Sequence, residues 1–186
     1  DAARVVIAER FVGDIMQVPP MVSALKVDGK RLHQLAREGV EIERKPRPVT
    51  VHSFTVESTA EPSVLSARIH CGSGTYVRSL GADLGTALGG GAHIRRLRRL
   101  TCGPFDIAEA CTIEEPVLLP VETTVRHLNH HVLDDKGIDD TLYGRVRAAW
   151  EDEAPWAVSD TAGNLVAVFE RFRDTLAKPT VVFGGR

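Results

Sequence analysis

The run Gly74-Thr75-Tyr76-Val77-Arg78-Ser79 places a phenol and a guanidinium two residues apart, where a strand-like stretch gives way to a helix-like one. An aromatic ring can stack on a base or sugar, and a fixed guanidinium can pair with a carboxylate or phosphate through parallel N–H donors. Two readings of these residues are open: a nucleotide-facing site, or a core tyrosine beside a surface arginine. A second candidate lies downstream. Arg95, Arg96, Arg98 and Arg99 fall within five positions, and from Leu84 to Phe105 there is no acidic residue. Solvated faces ordinarily mix charge signs, so arginines without acidic partners point to phosphate contact.

Other chemistry-bearing groups read more plainly. Gly89-Gly90-Gly91 could expose backbone N–H groups to a phosphate, but it lacks the Lys-Ser/Thr of a nucleotide loop and does not follow a strand. A helix stop is the simpler expectation. The seven histidines form no H-E-x-x-H set, and His130-His131 sits in a polar loop, so no metal site is expected. Cys71, Cys102 and Cys111 form no C-x-x-C pair, which favours neither zinc nor a disulfide framework. Cys71 falls at an inward position of a strand and reads as a small buried hydrophobe.

The elements that must position these groups follow from periodicity. Apolar residues from Ala2 to Ile15 recur near helical spacing and run toward the turn signal Pro19-Pro20. Leu32, Leu35 and Ala36 share one face of a helix bounded by Gly29 and Gly39. From Pro48, alternation through Val49 and Val51, then Phe54 and Val56, predicts a strand that changes face near Ser53. Leu65 to Cys71 alternates cleanly and predicts its antiparallel partner. Val77, Leu80, Leu84 and Leu88 mark a helix, and the stretch from Ala92 to Phe105 is assigned to a strand. After a linker with Pro116 and Pro120, Trp156–Val158 and Leu165–Phe169, divided by a turn at 160–164, predict a small β-rich region.

Composition sets the limits. With 186 residues, 43% apolar and 26% charged, the chain is of ordinary globular make-up and long enough for one domain with an appendage. No apolar run approaches the ~18–20 residues of a membrane span. The net charge of −2 hides an asymmetry: residues 1–110 hold 15 Lys and Arg against 12 Asp and Glu, while residues 111–186 hold 8 against 13. Asp1 reads as an internal residue of a longer protein, there being neither a start methionine nor a helix cap ahead of it.

The order and spacing of Pro19-Pro-Met-Val-Ser-Ala-Leu-Lys-Val-Asp-Gly-Lys-Arg-Leu-His-Gln-Leu-Ala-Arg-Glu-Gly39, Arg44, Arg47-Pro48, Cys71-Gly-Ser-Gly-Thr-Tyr-Val-Arg78 and Gly91-Ala-His-Ile-Arg-Arg-Leu-Arg-Arg-Leu100 closely resemble the bacterial tRNA pseudouridine synthase B (TruB) family. The resemblance implies isomerisation of the uridine at tRNA position 55, in the TΨC loop, to pseudouridine without cofactor or metal. It implies an α+β fold: residues 1–120 as the C-terminal half of a catalytic domain built on a mixed or antiparallel sheet, then a small β-rich PUA-like domain at 121–186. Tyr76 matches a tyrosine that stacks on the flipped-out uridine and acts in proton removal. Arg78 matches the arginine that pairs with the catalytic aspartate, and Leu97 the leucine that closes the base pocket. Residues 18–48 resemble an RNA-gripping thumb loop, with Lys26, Lys30, Arg31, Arg37, Arg44 and Arg47 supplying charge. Arg95, Arg96, Arg98 and Arg99 complete the expected RNA contacts. The implied partner is tRNA through its TΨC stem-loop, with a monomeric, cytoplasmic protein and no membrane contact.

Two departures from the family pattern stand out. Val22 and His33 occupy positions where members usually carry aromatics. The nucleophilic aspartate of the family's Gly-x-Leu-Asp-Pro motif has no counterpart, and Asp14, Asp28 and Asp83 are poor substitutes. The chain is therefore expected to be the C-terminal part of a synthase, inactive alone; the rival expectations are a non-catalytic RNA-binding module and, more remotely, a nucleotide-binding enzyme using Gly89–Gly91. Arg78 is expected to be partly buried beside Tyr76, since a guanidinium that matters to an active-site carboxylate must be shielded from bulk water.

Overall fold

A strand with one buried face needs a helix to cover it, and residues 1–97 supply two. The computed structural model describes residues 2–27 and 29–183, so Asp28, one of the carboxylates weighed above, lies outside the described residues. Along the chain come α1 (Ala2–Arg10), β1 (Gly13–Gln17), β2 (Lys26–Val27), β3 (Lys30–Arg31), α2 (Leu32–Arg37), β4 (Arg47–Ser58), β5 (Leu65–Cys71) and α3 (Val77–Ala87). β4 is central in an antiparallel sheet of order β1-β4-β5. α1 and α3 cover one face of it, enclosing Ile7, Phe11, Val51, Phe54, Val56, Leu80 and Leu84, with Cys71 packed at the margin. Full burial of an aliphatic side chain of this size contributes about 1.5–3 kcal/mol.

The expected change of face is a bulge. Val51 pairs with Cys71 and Ser53 with His70, leaving His52 as the extra residue. That insertion re-phases the alternation so that Val51, Phe54 and Val56 all point inward. On the exposed face His52 and His70 lie with ring centroids 4.6 Å apart.

Three expectations are corrected. The helix expected over Ala2–Ile15 ends at Arg10, because Gly13 takes φ +93° and the chain then runs extended to pair with β4. The helix expected between Gly29 and Gly39 covers only Leu32–Arg37, because Lys30 and Arg31 pair with Val27 and Lys26 instead. The strand expected over Ala92–Phe105 is irregular up to Leu100; only Thr101–Cys102 and Phe105–Asp106 pair, around Gly103.

The glycine triplet stops a helix, as expected. Gly89 adopts φ +83°, its N–H donates to the Thr86 carbonyl, and the Gly90 N–H donates to the Gly85 carbonyl. This is the Schellman arrangement, which uses two of the triplet's three N–H groups on the helix's own last carbonyls.

Residues 98–186 form a second compact unit. It holds β6 (Thr101–Cys102), β7 (Phe105–Asp106), β8 (Asn129–Val132), α4 (Asp135–Leu142), β9 (Arg147–Ala148), β10 (Trp156–Ser159), β11 (Leu165–Phe172) and β12 (Leu176–Val182). Five of these strands make a mixed sheet of order β8-β10-β11-β12-β9, with β8 parallel to β10. β10 is buried on both faces: Trp156 and Val158 join Leu133, Val166, Ala167, Phe169 and Ala177, while Ala157 joins Val125 and Leu165. The β-rich character expected of this region is present, and the expected turn at 160–164 is closed by Asp160, whose carboxylate accepts from the Ala162 and Asn164 N–H groups. Those bonds, led by the one from the Asn164 side chain, hold the Asp160 carboxyl below the usual carboxylate range. No helix among the described residues is long and apolar enough to cross a membrane.

Candidate functional site

Tyr76 is the last extended residue before α3, with φ −96° and ψ 98°. Gly74 at φ +80° makes the turn that reaches it, and Thr75 fastens that turn by donating to the Gly72 carbonyl at 2.9 Å. The Tyr76 backbone is then held from a distant point in the sequence. Its N–H donates to Oε1 of Gln17 at 2.7 Å, and Nε2 of Gln17 donates to its carbonyl at 3.1 Å. Gln17 is 2% exposed. The two following polar residues also reach the chain just after Gln17: Ser79 Oγ donates to the Val18 carbonyl at 3.4 Å, and Arg78 Nη2 to the Val22 carbonyl at 2.8 Å. The first turn of α3 and the root of the 18–48 loop are thus one hydrogen-bonded assembly.

Gln17 is missed by the sequence because helical spacing is expected over Ala2–Ile15, and only β1 gives it an inward strand position. Ile15 and Gln17 share the inward face of β1, and a polar residue at an inward position must find partners.

Arg78 corrects an expectation. It is exposed rather than partly buried, because it stands two positions before the core residue Leu80, about 200° around the helix axis from it. Its guanidinium is nevertheless engaged at Val22, and no carboxylate lies within ion-pair distance of it among the described residues. Asp14 is exposed and accepts from Thr50 Oγ1 at 2.7 Å. Asp83, on α3, has its carboxyl raised by partial burial.

The 18–48 loop has its own small core. α2 buries Leu32 and Leu35 and stops at Gly39, while the Leu32 N–H donates to the Leu25 carbonyl at 2.8 Å. The Ser23 carbonyl accepts from the His33 N–H and lies 3.0 Å from His33 Nδ1, which must carry the proton there. Lys26, Lys30, Arg31, Arg37 and Arg47 are exposed around this core. Arg44 is not free: Nη1 donates to the Pro19 carbonyl at 3.1 Å, Nη2 reaches Glu41 at 3.4 Å, and Nε is buried without a partner. It ties the end of the loop to its beginning.

The irregular segment after α3 carries Arg95, Arg96 and Leu97, all exposed, Leu97 to 63%. It lies against α3, where Gly81 and Gly85 leave room for Ile94 and Ala92. The expectation that the arginine cluster lacks acidic partners does not hold for Arg95, which makes a bidentate pair with Glu61 at 2.6 and 3.1 Å. Arg98 and Arg99 belong to the second unit and are exposed there.

The chain is similar to known proteins over most of its length. Residues 3–77 match the model of the TruB family pseudouridylate synthase N-terminal domain, and residues 78–117 that of the tRNA pseudouridylate synthase B C-terminal domain. The tRNA pseudouridine synthase B of Saccharophagus degradans is 47% identical over 125 residues, covering 66% of this chain and 40% of the relative. That of Dehalococcoides mccartyi (strain CBDB1) is 37% identical over 186 residues, covering 93% and 62%. The chain therefore spans about 40 to 62% of the length of these relatives. In fold it is similar to a chain of a Cbf5-Nop10-Gar1 complex, with TM-score 0.69 and 24% identity over 99% of this chain and 61% of the other. A chain of an H/ACA RNP bound to a substrate RNA containing 2'-deoxyuridine gives TM-score 0.67 and 22% identity over 100% and 62%. With two models of one family meeting between Val77 and Arg78, inside the Tyr76–Arg78 turn, and an α+β fold shared with these structures, the chain belongs to the TruB family of pseudouridylate synthases.

Proposed function

We propose that this chain supplies the tyrosine–arginine arm, the thumb loop and the small C-terminal domain of a tRNA pseudouridine synthase that converts uridine 55 of the TΨC loop to pseudouridine. The observation that carries this reading is the assembly at the start of α3: Tyr76, with its backbone locked by Gln17, stands beside an exposed Arg78 whose guanidinium rests on a backbone carbonyl. Chemistry on a base in a folded RNA requires the nucleotide to leave its stack, and a half-buried Tyr76 ring is suited to replace the lost stacking. A neutral carbonyl holds a guanidinium less strongly than a carboxylate does, so Arg78 can exchange Val22 for the nucleophile's carboxylate. That nucleophile comes from a Gly-x-Leu-Asp-Pro segment upstream of these residues, in keeping with the 40 to 62% of the relatives' length that the chain covers. Aspartate attack on the uracil or ribose, detachment of the base from C1′, its rotation, formation of the C5–C1′ bond with release of the aspartate, and loss of the C5 proton to solvent complete the reaction.

Tyr76 and Arg78 cannot replace the carboxylate. A phenol with pKa near ~10 is a poor nucleophile at neutral pH, and a guanidinium cannot act as one. Residues 1–186 alone are therefore expected to release no tritium from a 5-tritiated TΨC stem-loop, and the same chain joined to its upstream half to release it. Turnover by the isolated chain would place the nucleophile within it, Asp14 and Asp83 being the first to replace.

A further inference from the structure

We infer that Gln17 is a positioning residue: its side-chain amide fixes the backbone from which Tyr76 is presented and joins that backbone to the root of the thumb loop. The inference rests on the reading of Tyr76 as the base-facing ring. Gln17 ends β1 and is 2% exposed, and both groups of its amide are spent on one distant residue, as donor to the Tyr76 carbonyl and acceptor from the Tyr76 N–H. The side chain thus pairs with Tyr76 as a neighbouring strand's peptide unit would.

The pairing has a steric consequence. Fixing the N–H and the carbonyl of one residue fixes both peptide planes that flank it, and hence the direction of its Cα–Cβ bond. Tyr76 stands just before α3, so its N–H lies outside the helix ladder, while its carbonyl already accepts from the Leu80 N–H at 3.1 Å. Of the common side chains only an amide offers a donor and an acceptor at one planar end, and glutamine supplies the length found here. Glutamate keeps the acceptor but sets a second oxygen against the Tyr76 carbonyl, and methionine keeps the shape and loses both bonds. Val18, the next residue, and Val22, five positions on, hold Ser79 and Arg78, so displacement of Gln17 disturbs the arm and the loop root together.

The test separates positioning from mere support of the fold. In the 186-residue chain the only tyrosines are Tyr76 and Tyr143, so 3-fluorotyrosine labelling gives two 19F resonances, assigned with Tyr143→Phe. Gln17→Met is expected to broaden or move the Tyr76 resonance while the circular dichroism of the chain is retained, and Gln17→Glu to do so to a smaller extent. In the chain joined to its upstream half, Gln17→Met should lower kcat on a TΨC stem-loop by on the order of 10- to 100-fold, with KM changed less than about threefold, since misplacement of a reacting group costs turnover more than encounter. If Gln17→Met unfolds the chain, Gln17→Glu carries the same comparison. An unmoved Tyr76 resonance in a folded variant overturns the positioning role, and a moved resonance with unchanged kcat overturns its importance for turnover. A moved resonance together with an inactive joined wild-type protein supports the joint and overturns the proposed reaction instead.

Discussion

Arg95 and Arg78 are both cations with partners that an RNA bound as proposed would have to displace, and the partners differ in kind. Arg78 rests on a neutral carbonyl, whereas Arg95 is held by the two oxygens of Glu61, which occupy the fork a phosphate would use. The pair is exposed, with side chains 51% and 61% accessible, and exposed pairs are worth about 0–1 kcal/mol. A phosphate can therefore replace Glu61 at small cost. Replacing Glu61 by Gln should tighten binding of a TΨC stem-loop modestly and steepen the dependence of log K on log salt by up to about one unit, as one more cation becomes free to meet a phosphate. Filter binding across a salt series measures both. An unchanged slope would assign Arg95 to holding the 59–64 turn in place.

At the scale of elements, α3 and the segment after it are packed through two glycines that behave differently. A Cβ on Gly85 would lie 2.5 Å from the N and Cβ atoms of Ala92 and 2.9 Å from the Gly91 carbonyl carbon, so backbone would have to move. A Cβ on Gly81 would meet the Cδ1 tip of Ile94 at 2.7 Å, and a side-chain tip can rotate away. Alanine gains about 1 kcal/mol over glycine in a helix interior, while overpacking against fixed atoms costs about 1–3 kcal/mol. Gly85→Ala should therefore lower the urea midpoint of the chain, and Gly81→Ala should leave it within about 1 kcal/mol of wild type, both read by far-ultraviolet circular dichroism. Because residues 91–94 lead directly to Leu97, Gly85→Ala should also displace the residue proposed to close the base pocket. Equal effects of the two substitutions would show that the segment is not seated on α3 through Gly85.

Over the whole molecule charge is divided unevenly. Residues 1–97 carry 13 Lys and Arg against 10 Asp and Glu, and residues 98–186 carry 10 against 15. A polyanion is therefore attracted mainly by exposed cations of the first unit and by Arg98 and Arg99 of the second. Each phosphate that is no longer neutralised by an arginine should flatten the salt dependence of stem-loop binding by about one unit, so Gln at Arg98 and Arg99 should lower the slope by up to about two. Arg44→Gln should instead lower the unfolding midpoint and leave the slope intact, since its guanidinium is used on Pro19 and Glu41. A slope that falls with Arg44 and not with Arg98 and Arg99 would reverse these assignments.

The features legible in the chain alone are local ones. The β4–β5 pair, the change of face at its bulge, α3 with its glycine stop and the β10–β11 hairpin follow from alternation, helical spacing and turn chemistry within ten or so neighbouring residues. The ordered motifs from Pro19 to Leu100 likewise point to the family without any knowledge of the fold. Whatever depends on distant partners is settled only when the chain is folded: residues 13–17 extend because β4 offers a strand to pair with, Ala92 and Ile94 are seated against Gly85 and Gly81 of α3, and Glu61 answers Arg95 across 34 positions. The partner of Tyr76 is of the same kind. A glutamine at an inward strand position announces that it needs hydrogen bonds, but its sequence neighbours cannot say with whom, because the answer lies 59 residues away and is made by the fold.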